Sequence, residues 1–305
     1  MDKKYRISSV VFLLFILAIG LITSCKSGKK PLKEDQEVKV PENVAEIKQD
    51  IDKATKIFNA LPSPLESAML IKSAGALFDG KLLNPVSKQD SYQTRTAQAL
   101  NLGVYTCDLS FASLYEQTQL LIDYMNAAKK MADGLGILDA IKEEDINKLE
   151  ENINNSEVIM DVVSQTFMNS NSYLEDNGQP ATAATVLVGG WIEGLYISTQ
   201  LVDMKEFNGN KLVAKIIDQK LSIDILIDLL NSSKGNPSID ELLPQVQRLK
   251  TVFDKIKLTT SAVRPEYDAQ TNTTILKSEV KTDMTQDIFI ELSKTVAEIR
   301  NSFVK

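Results

Sequence analysis

Apolar residues recur at every third or fourth position along most of this 305-residue chain, which is the spacing of one face of an α-helix. The first such stripe consists of Val44, Ile47, Ile51, Ala54, Ile57 and Leu61. Prolines and glycines divide the stripes into segments of helical length, because the residue before a proline is biased away from helical geometry. The sequence therefore predicts an all-α protein, either a multi-helix bundle or a helical-repeat-like array.

Local signals predict where several of the helices begin or bend. Pro64 is a favourable first helical residue and predicts a helix start. Residues 87–90 and 238–241 both match the capping-box pattern, so each of them also predicts a helix start. Gly103 lies inside a long helical segment and predicts a kink or a break in it.

The last fifty residues change character. Residues 258–281 are rich in Thr and Val and lack helical periodicity, which predicts a long loop or a short β-hairpin. The C-terminal helix that follows has one apolar face, made of Ile288, Leu292, Val296, Ile299 and Phe303. Its charged residues, Arg300 among them, are expected on the other faces of the helix.

A short word occurs twice in the chain. The letters LYEQTQLL at 114–121 and LYISTQLV at 195–202 agree at five positions, with an offset of 81 residues. An offset of that length suits a duplicated set of helices. Two copies of a short apolar word can also arise by chance, and both interpretations stay open at this point.

The N-terminus carries the marks of a secretory signal peptide. Lys3, Lys4 and Arg6 precede an apolar run at 10–21, and small residues follow it. The run is shorter than the roughly 18–20 residues that a helix needs to cross a bilayer. A cleaved signal peptide over 1–24 is therefore favoured over an uncleaved membrane anchor.

The end of this segment, Ile22-Thr23-Ser24-Cys25, resembles the lipobox of bacterial lipoproteins. In that family the cysteine thiol receives a diacylglycerol and the preceding peptide is removed, so the resemblance implies lipidation of Cys25. Lys26 stands where the family places an aspartate for retention in the inner membrane, which implies the outer membrane. Residues 25–41 are charged and read as a flexible tether, and 42–305 as a single α-helical domain.

A second resemblance rests on the short motifs at 62–64, 69–70, 75–76, 101–105 and 108–110, together with Tyr115. With these motifs, about residues 60–230 resemble a family of uncharacterised helical outer-membrane lipoproteins of Gram-negative bacteria. This resemblance implies the same envelope location. It implies no activity, because none of these motifs is catalytic.

Composition excludes several classes of function. The chain has no histidine, which removes Ser-His-Asp and Cys-His catalysis and histidine-based metal sites. A formal charge of −7 makes nucleic acid a poor partner, because the negative phosphate backbone binds to clusters of Lys and Arg. We expect no cofactor, no metal and no catalytic residue.

Two acids stand in strongly apolar segments and are the candidate functional residues. Glu193 is the one charged residue between 181 and 202, and Asp108 has mainly apolar neighbours. The offset of 81 residues matches Glu193 with Ala112, one helical turn from Asp108, so the two acids are expected on comparable faces of neighbouring helices. Burying a carboxylate is costly unless it has a partner or keeps its proton.

Two interpretations of these acids remain. Each acid is either tied by a hydrogen bond inside a helical core, or part of a ligand pocket. The pocket would contain Asp108, Glu193 and Glu116, with walls of Tyr105, Tyr115, Trp191 and Tyr196. Paired carboxylates can bind a cation or an amine, and they are also the catalytic residues of most glycoside hydrolases.

Gly190 and Gly194 form a small-xxx-small pattern, which predicts close helix packing. Taken together, the sequence predicts a membrane-anchored envelope lipoprotein whose helical domain is a non-catalytic scaffold for another envelope protein. The alternatives are a lipoprotein that binds a small polar ligand and, last, a carboxylate-based hydrolase.

Overall fold

The computed structural model describes residues 61–153, 155–260, 264–268, 273–277 and 280–305. Within them the chain forms nine α-helices: α1 (Pro64–Ser73), α2 (Arg95–Leu114), α3 (Thr118–Leu135), α4 (Glu143–Glu151), α5 (Ser156–Asp176), α6 (Pro180–Gln200), α7 (Lys211–Ser232), α8 (Pro237–Phe253) and α9 (Gln286–Phe303). The predicted all-α bundle is confirmed. The predicted signal peptide, Cys25, the tether and the stripe at 44–60 lie outside the described residues.

Helices α2 and α6 form the centre of the bundle. Every residue of α2 from 99 to 114 is buried, and so is most of α6. A helix that is apolar on all sides must be covered on all sides, and α1, α5 and α9 each pack against both of these helices. The buried apolar side chains of the described residues form one continuous cluster.

Glycines let the backbones of α2 and α6 touch. A Cβ atom added at Gly103 would lie 2.1 Å from the Val186 carbonyl oxygen, and one added at Gly189 would lie 2.1 Å from the Leu100 carbonyl oxygen. The sequence allowed a kink or a break at Gly103, and the structure shows no break, because α2 continues through it. The break comes at 115–117, where Glu116 has a φ of 57°.

Gly190 and Gly194, the glycines predicted to allow close helix packing, both face α1. A Cβ atom at Gly190 would lie 2.8 Å from Pro64 Cγ, and one at Gly194 would lie 2.7 Å from Ser67 Cβ. The glycines of α6 therefore allow two neighbouring helices, α1 and α2, to pack closely against it.

Two predicted helix starts are wrong. Residues 87–90 lie in a 3₁₀ turn, Val86–Ser91, and α2 begins only at Arg95, where the Thr94 hydroxyl accepts a hydrogen bond from the Ala97 N–H at 3.1 Å. Helix α8 begins at Pro237, ahead of the predicted start at 238, because the Asn236 side chain caps it and proline fits the first helical position.

Strands form at the place predicted for a hairpin. Strand β1 (Lys257–Thr260) pairs antiparallel with β4 (Val280–Asp283), and β2 (Arg264–Asp268) pairs antiparallel with β3 (Thr273–Lys277). The pairing is nested, with Lys257 opposite Asp283 and Arg264 opposite Lys277. These strands follow α8 and lead directly into α9.

The short motif that occurs twice, at 114–121 and at 195–202, adopts two different structures. In its first copy, Leu114 ends α2 and Thr118 begins α3, so the motif spans a break between helices. In its second copy, residues 195–200 lie inside the last turns of α6. The shared letters therefore do not mark a duplicated structural unit.

Candidate functional site

The structure brings Asp108 and Glu193 together at the centre of the bundle. Asp108 lies on α2 and Glu193 on α6, the two helices whose glycines touch, and both side chains are completely buried. The charge of Glu193 acts on Asp108 and raises the pKa of its carboxyl group.

Arg300 on α9 neutralises this pair of acids. Its Nε donates to Glu193 Oε2 at 2.8 Å and its second guanidinium nitrogen, Nη2, donates to Glu193 Oε1 at 2.9 Å. Arg300 itself is only 6 % exposed, so its expected position away from the apolar face of the helix is wrong. It lies four residues after Val296 and three before Phe303, which places it on that face.

The loop before α2 completes the cluster. The Asn84 backbone N–H donates to Asp108 Oδ2 at 3.0 Å, and the Asn84 side chain bonds to Tyr92 and to Asn101. Asn101 in turn donates to the Phe303 carbonyl oxygen at 2.9 Å. The polar groups thus link the 84–92 loop, α2, α6 and the end of α9.

The electrostatics of the cluster favour one neutral acid. Burial raises the pKa of Asp108 well above its usual range, and the neighbouring charge of Glu193 raises it further, while Arg300 and the Asn84 N–H act in the opposite direction. Burial also raises the pKa of Glu193, opposed by the hydrogen bonds from Arg300. These directions favour the neutral form of Asp108 beside the ion pair of Glu193 and Arg300.

The aromatic residues predicted as pocket walls are divided among several places. The Arg300 guanidinium lies 4.7 Å from the centre of the Tyr196 ring, and the Tyr105 hydroxyl donates to the Pro85 carbonyl oxygen at 3.2 Å. Trp191 Nε1 donates to Gln219 Oε1 at 3.1 Å. Tyr115 packs on Phe78 and Phe111.

Glu116 does not join the other two acids. It is exposed between α2 and α3, whereas Asp108 and Glu193 lie in the interior. The cluster is therefore closed to solvent. Glu193 is paired with Arg300, and Asp108 accepts a hydrogen bond from the Asn84 N–H through Oδ2, while its Oδ1 has no hydrogen-bond partner among the described residues. The cluster holds the loop before α2 together with α2, α6 and α9 by hydrogen bonds, which are electrostatically stronger in the low dielectric constant of the interior than in water.

The described residues offer little for a metal or for a bilayer. No three His, Cys, Asp or Glu side chains among them are grouped closely enough to hold a metal ion. None of the helices in this part of the chain combines the length and the apolar character that crossing a membrane requires.

Comparisons of the chain with protein-family models, with curated proteins and with solved structures gave no match. The interpretation of the cluster therefore rests on its own geometry. Sequence reasoning missed Arg300, Asn84, Asn101 and Tyr92 as members of it. The position of Arg300 between Val296 and Phe303 was the one signal available for its burial.

Proposed function

We propose that this protein is a lipoprotein of the bacterial outer membrane, held by a lipid on Cys25, whose helical domain binds another envelope protein and catalyses no reaction. The lipid anchor is supported by the basic residues, apolar run and lipobox-like end of residues 1–25. The choice of membrane is supported by Lys26, which follows that cysteine.

The enclosure of the acid cluster is the observation that carries the non-catalytic part of this proposal. A general acid or base must come within hydrogen-bonding reach of its substrate. Asp108 and Glu193 are completely buried and are bound by Arg300 and Asn84. This arrangement favours a scaffold over a carboxylate-based hydrolase, and over a ligand site built on these two acids.

Membrane fractionation tests the anchor. We expect the wild-type protein to sediment with outer membranes and the Cys25→Ser variant to appear in the soluble fraction, because the thiol is the site of lipid attachment. Cys107→Ala is the matched control, since Cys107 is the other cysteine of the chain and is buried. Membrane retention of the Cys25→Ser variant would contradict the proposal.

Cross-linking tests the partner. Mild cross-linking of the full-length protein in membranes, followed by capture and mass spectrometry, is expected to return one envelope protein in stoichiometric amount. The same capture from cells that carry Cys25→Ser controls for the need for membrane location. A monodisperse monomer with an empty capture would overturn the scaffold proposal.

A further inference from the structure

A second polar region of the bundle lies apart from the acid cluster. A cavity of about 100 Å³ is enclosed mainly by α2, α3, α4 and α5. Its walls are largely apolar, with Leu102, Leu109, Met125, Ile146, Val163 and Leu174 among them, and they carry one basic residue, Lys129, and one acidic residue, Asp145. An engineered cavity of about 150 Å³ holds benzene, so this space suits a group somewhat smaller than a benzene ring.

Unpaired oxygens are concentrated at this cavity. Five buried side-chain oxygens among the described residues have no hydrogen-bond partner, and three of them belong to residues that line it: Asp145, Thr166 and Asn171. Buried polar atoms in folded proteins are nearly always bonded, because an unpaired one carries its full desolvation cost. Three such atoms around one apolar cavity indicate an occupant that bonds to them.

The orientation of the Asn171 side-chain amide shows whether the occupant must donate or accept hydrogen bonds. The Asn171 side chain is 4 % exposed, and its Nδ2 donates to Glu175 Oε1 at 3.3 Å. Its unpaired atom is therefore Oδ1, an acceptor. The unpaired atom of Asp145 is a carboxylate oxygen, also an acceptor, and a threonine hydroxyl such as that of Thr166 can accept as well as donate. The occupant must therefore donate hydrogen bonds.

We propose that this cavity binds a small primary amine, whose short apolar body lies among the apolar walls and whose ammonium group faces Asp145, Thr166 and Asn171. An ammonium group has three N–H donors and no acceptor, which matches a set of acceptors. Its positive charge complements the Asp145 carboxylate. Asp108, Glu193 and Arg300 do not line this cavity.

Titration of the full-length protein with n-butylamine, followed by methyl NMR, tests this site. We expect saturable shifts of methyl groups that line the cavity, such as those of Val163, Val186 and Ile146. Butyrate has the same length and the opposite charge and is expected to cause no saturable shift. Butan-1-ol, which lacks the charge, is expected to bind more weakly than the amine.

Two variants and one control locate the binding. Asp145→Asn keeps the shape and removes the charge, so it is expected to weaken the amine about ten- to one-hundred-fold. Ala128→Leu places a larger side chain at the cavity wall and is expected to abolish the shifts. Asp139→Asn, at an exposed position near α4, is expected to leave the affinity unchanged. Circular dichroism confirms that each variant is folded.

The outcomes that overturn the proposal are distinct. Absence of saturable shifts with butylamine would mean that water satisfies the three oxygens. Equal binding of butylamine, butan-1-ol and butyrate would mean that the cavity binds the apolar chain and does not distinguish the ammonium group from a hydroxyl or a carboxylate. Unchanged affinity in a folded Asp145→Asn variant would remove the carboxylate from the site.

Discussion

Arg300 performs three tasks with one side chain. Its guanidinium donates two hydrogen bonds to Glu193, a further one to the Leu82 carbonyl oxygen at 3.2 Å, and lies over the Tyr196 ring. The planar fork of arginine allows all of these contacts at once, whereas a lysine offers a single point charge. Removing it leaves a buried carboxylate with no cation.

The variant Arg300→Met is therefore expected to lower the free energy of unfolding by about 3–5 kcal/mol, the range for breaking a buried ion pair from one side. Urea denaturation of the variant and the wild type measures this loss of stability. Arg248→Met is the matched control, because Arg248 pairs with Glu298 at 3.1 Å while both are about half exposed, and surface pairs contribute about 0–1 kcal/mol. Equal losses in the two variants would contradict the role assigned to Arg300.

Asp108 should give the stability a pH dependence of definite sign. Its folded pKa is raised, while an unfolded aspartate titrates near pH 3.9. Below that pH both states hold the proton. As the pH rises from there to the folded pKa, the unfolded chain loses the proton first, so the contribution of Asp108 to stability is lost at about 1.4 kcal/mol per pH unit.

The variant Asp108→Asn keeps the shape and the donor of the protonated acid and removes this loss. We expect its free energy of unfolding, relative to the wild type, to increase between pH 4 and pH 7 in urea titrations. Asp228→Asn, at an exposed position on α7, should show a constant difference. A constant difference for Asp108→Asn as well would mean that Asp108 is ionised in the folded protein.

At this scale the sequence predicted two of the six residues of the cluster. Asp108 and Glu193 were recognisable because each interrupts an apolar segment, and an acid in such a place needs a partner. The partner itself was not recognisable, because Glu193 and Arg300 are 107 residues apart. Local periodicity describes the face of one helix and says nothing about which distant face it meets.

At the scale of elements, the contact between α2 and α6 sets the geometry of the whole bundle. Gly103 faces the backbone near Val186 and Gly190, while Gly189 faces Leu100. Because backbone meets backbone here, the two helices lie closer together than side chains would permit. That proximity brings Asp108 and Glu193 close enough together for the charge of Glu193 to raise the pKa of Asp108.

The variant Gly103→Ala is expected to destabilise the protein by about 3 kcal/mol or more, since a carbonyl oxygen cannot move aside as a side chain can. Thermal unfolding measures the effect. Gly134→Ala is the matched control, because its Cβ atom would meet only the flexible side chain of Gln98. A small effect of Gly103→Ala would show that the helices can separate without cost.

The sequence predicted the kind of elements better than their beginnings. Pro64, predicted as a first helical residue, is the first residue of α1. The two capping-box patterns failed, because the same pattern also occurs in the 3₁₀ turn Val86–Ser91 and one residue inside α8. A local pattern cannot distinguish a cap from a turn when distant contacts decide between them.

At the scale of the whole molecule, α9 joins parts of the chain that are far apart in sequence. Asn101 bonds to the Phe303 carbonyl oxygen across 202 residues, and Lys88 bonds to the Val304 carbonyl oxygen across 216 residues. The helix also supplies buried apolar residues to the common core: Phe289, Leu292, Val296, Ile299 and Phe303.

A chain that ends after Asp283, and so lacks α9, is expected to lose cooperative unfolding. Its core would be open and its two central acids would lack Arg300. Trp191, the single tryptophan and a buried one, reports this as a red shift of its fluorescence. Deletion of the exposed Lys305 alone is the control and should leave the emission unchanged. Blue-shifted emission and a sharp transition in the truncated chain would contradict this prediction.

The late position of Arg300 in the chain has a consequence for biosynthesis. The ribosome makes Glu193 107 residues before it makes Arg300, so a growing chain has two acids destined for the interior and no cation to bury with them. Domains fold as units, and contacts between distant residues form slowly. Completion of this fold therefore waits for the synthesis of Arg300, so a chain whose export begins during translation would leave the ribosome before its central cluster is complete.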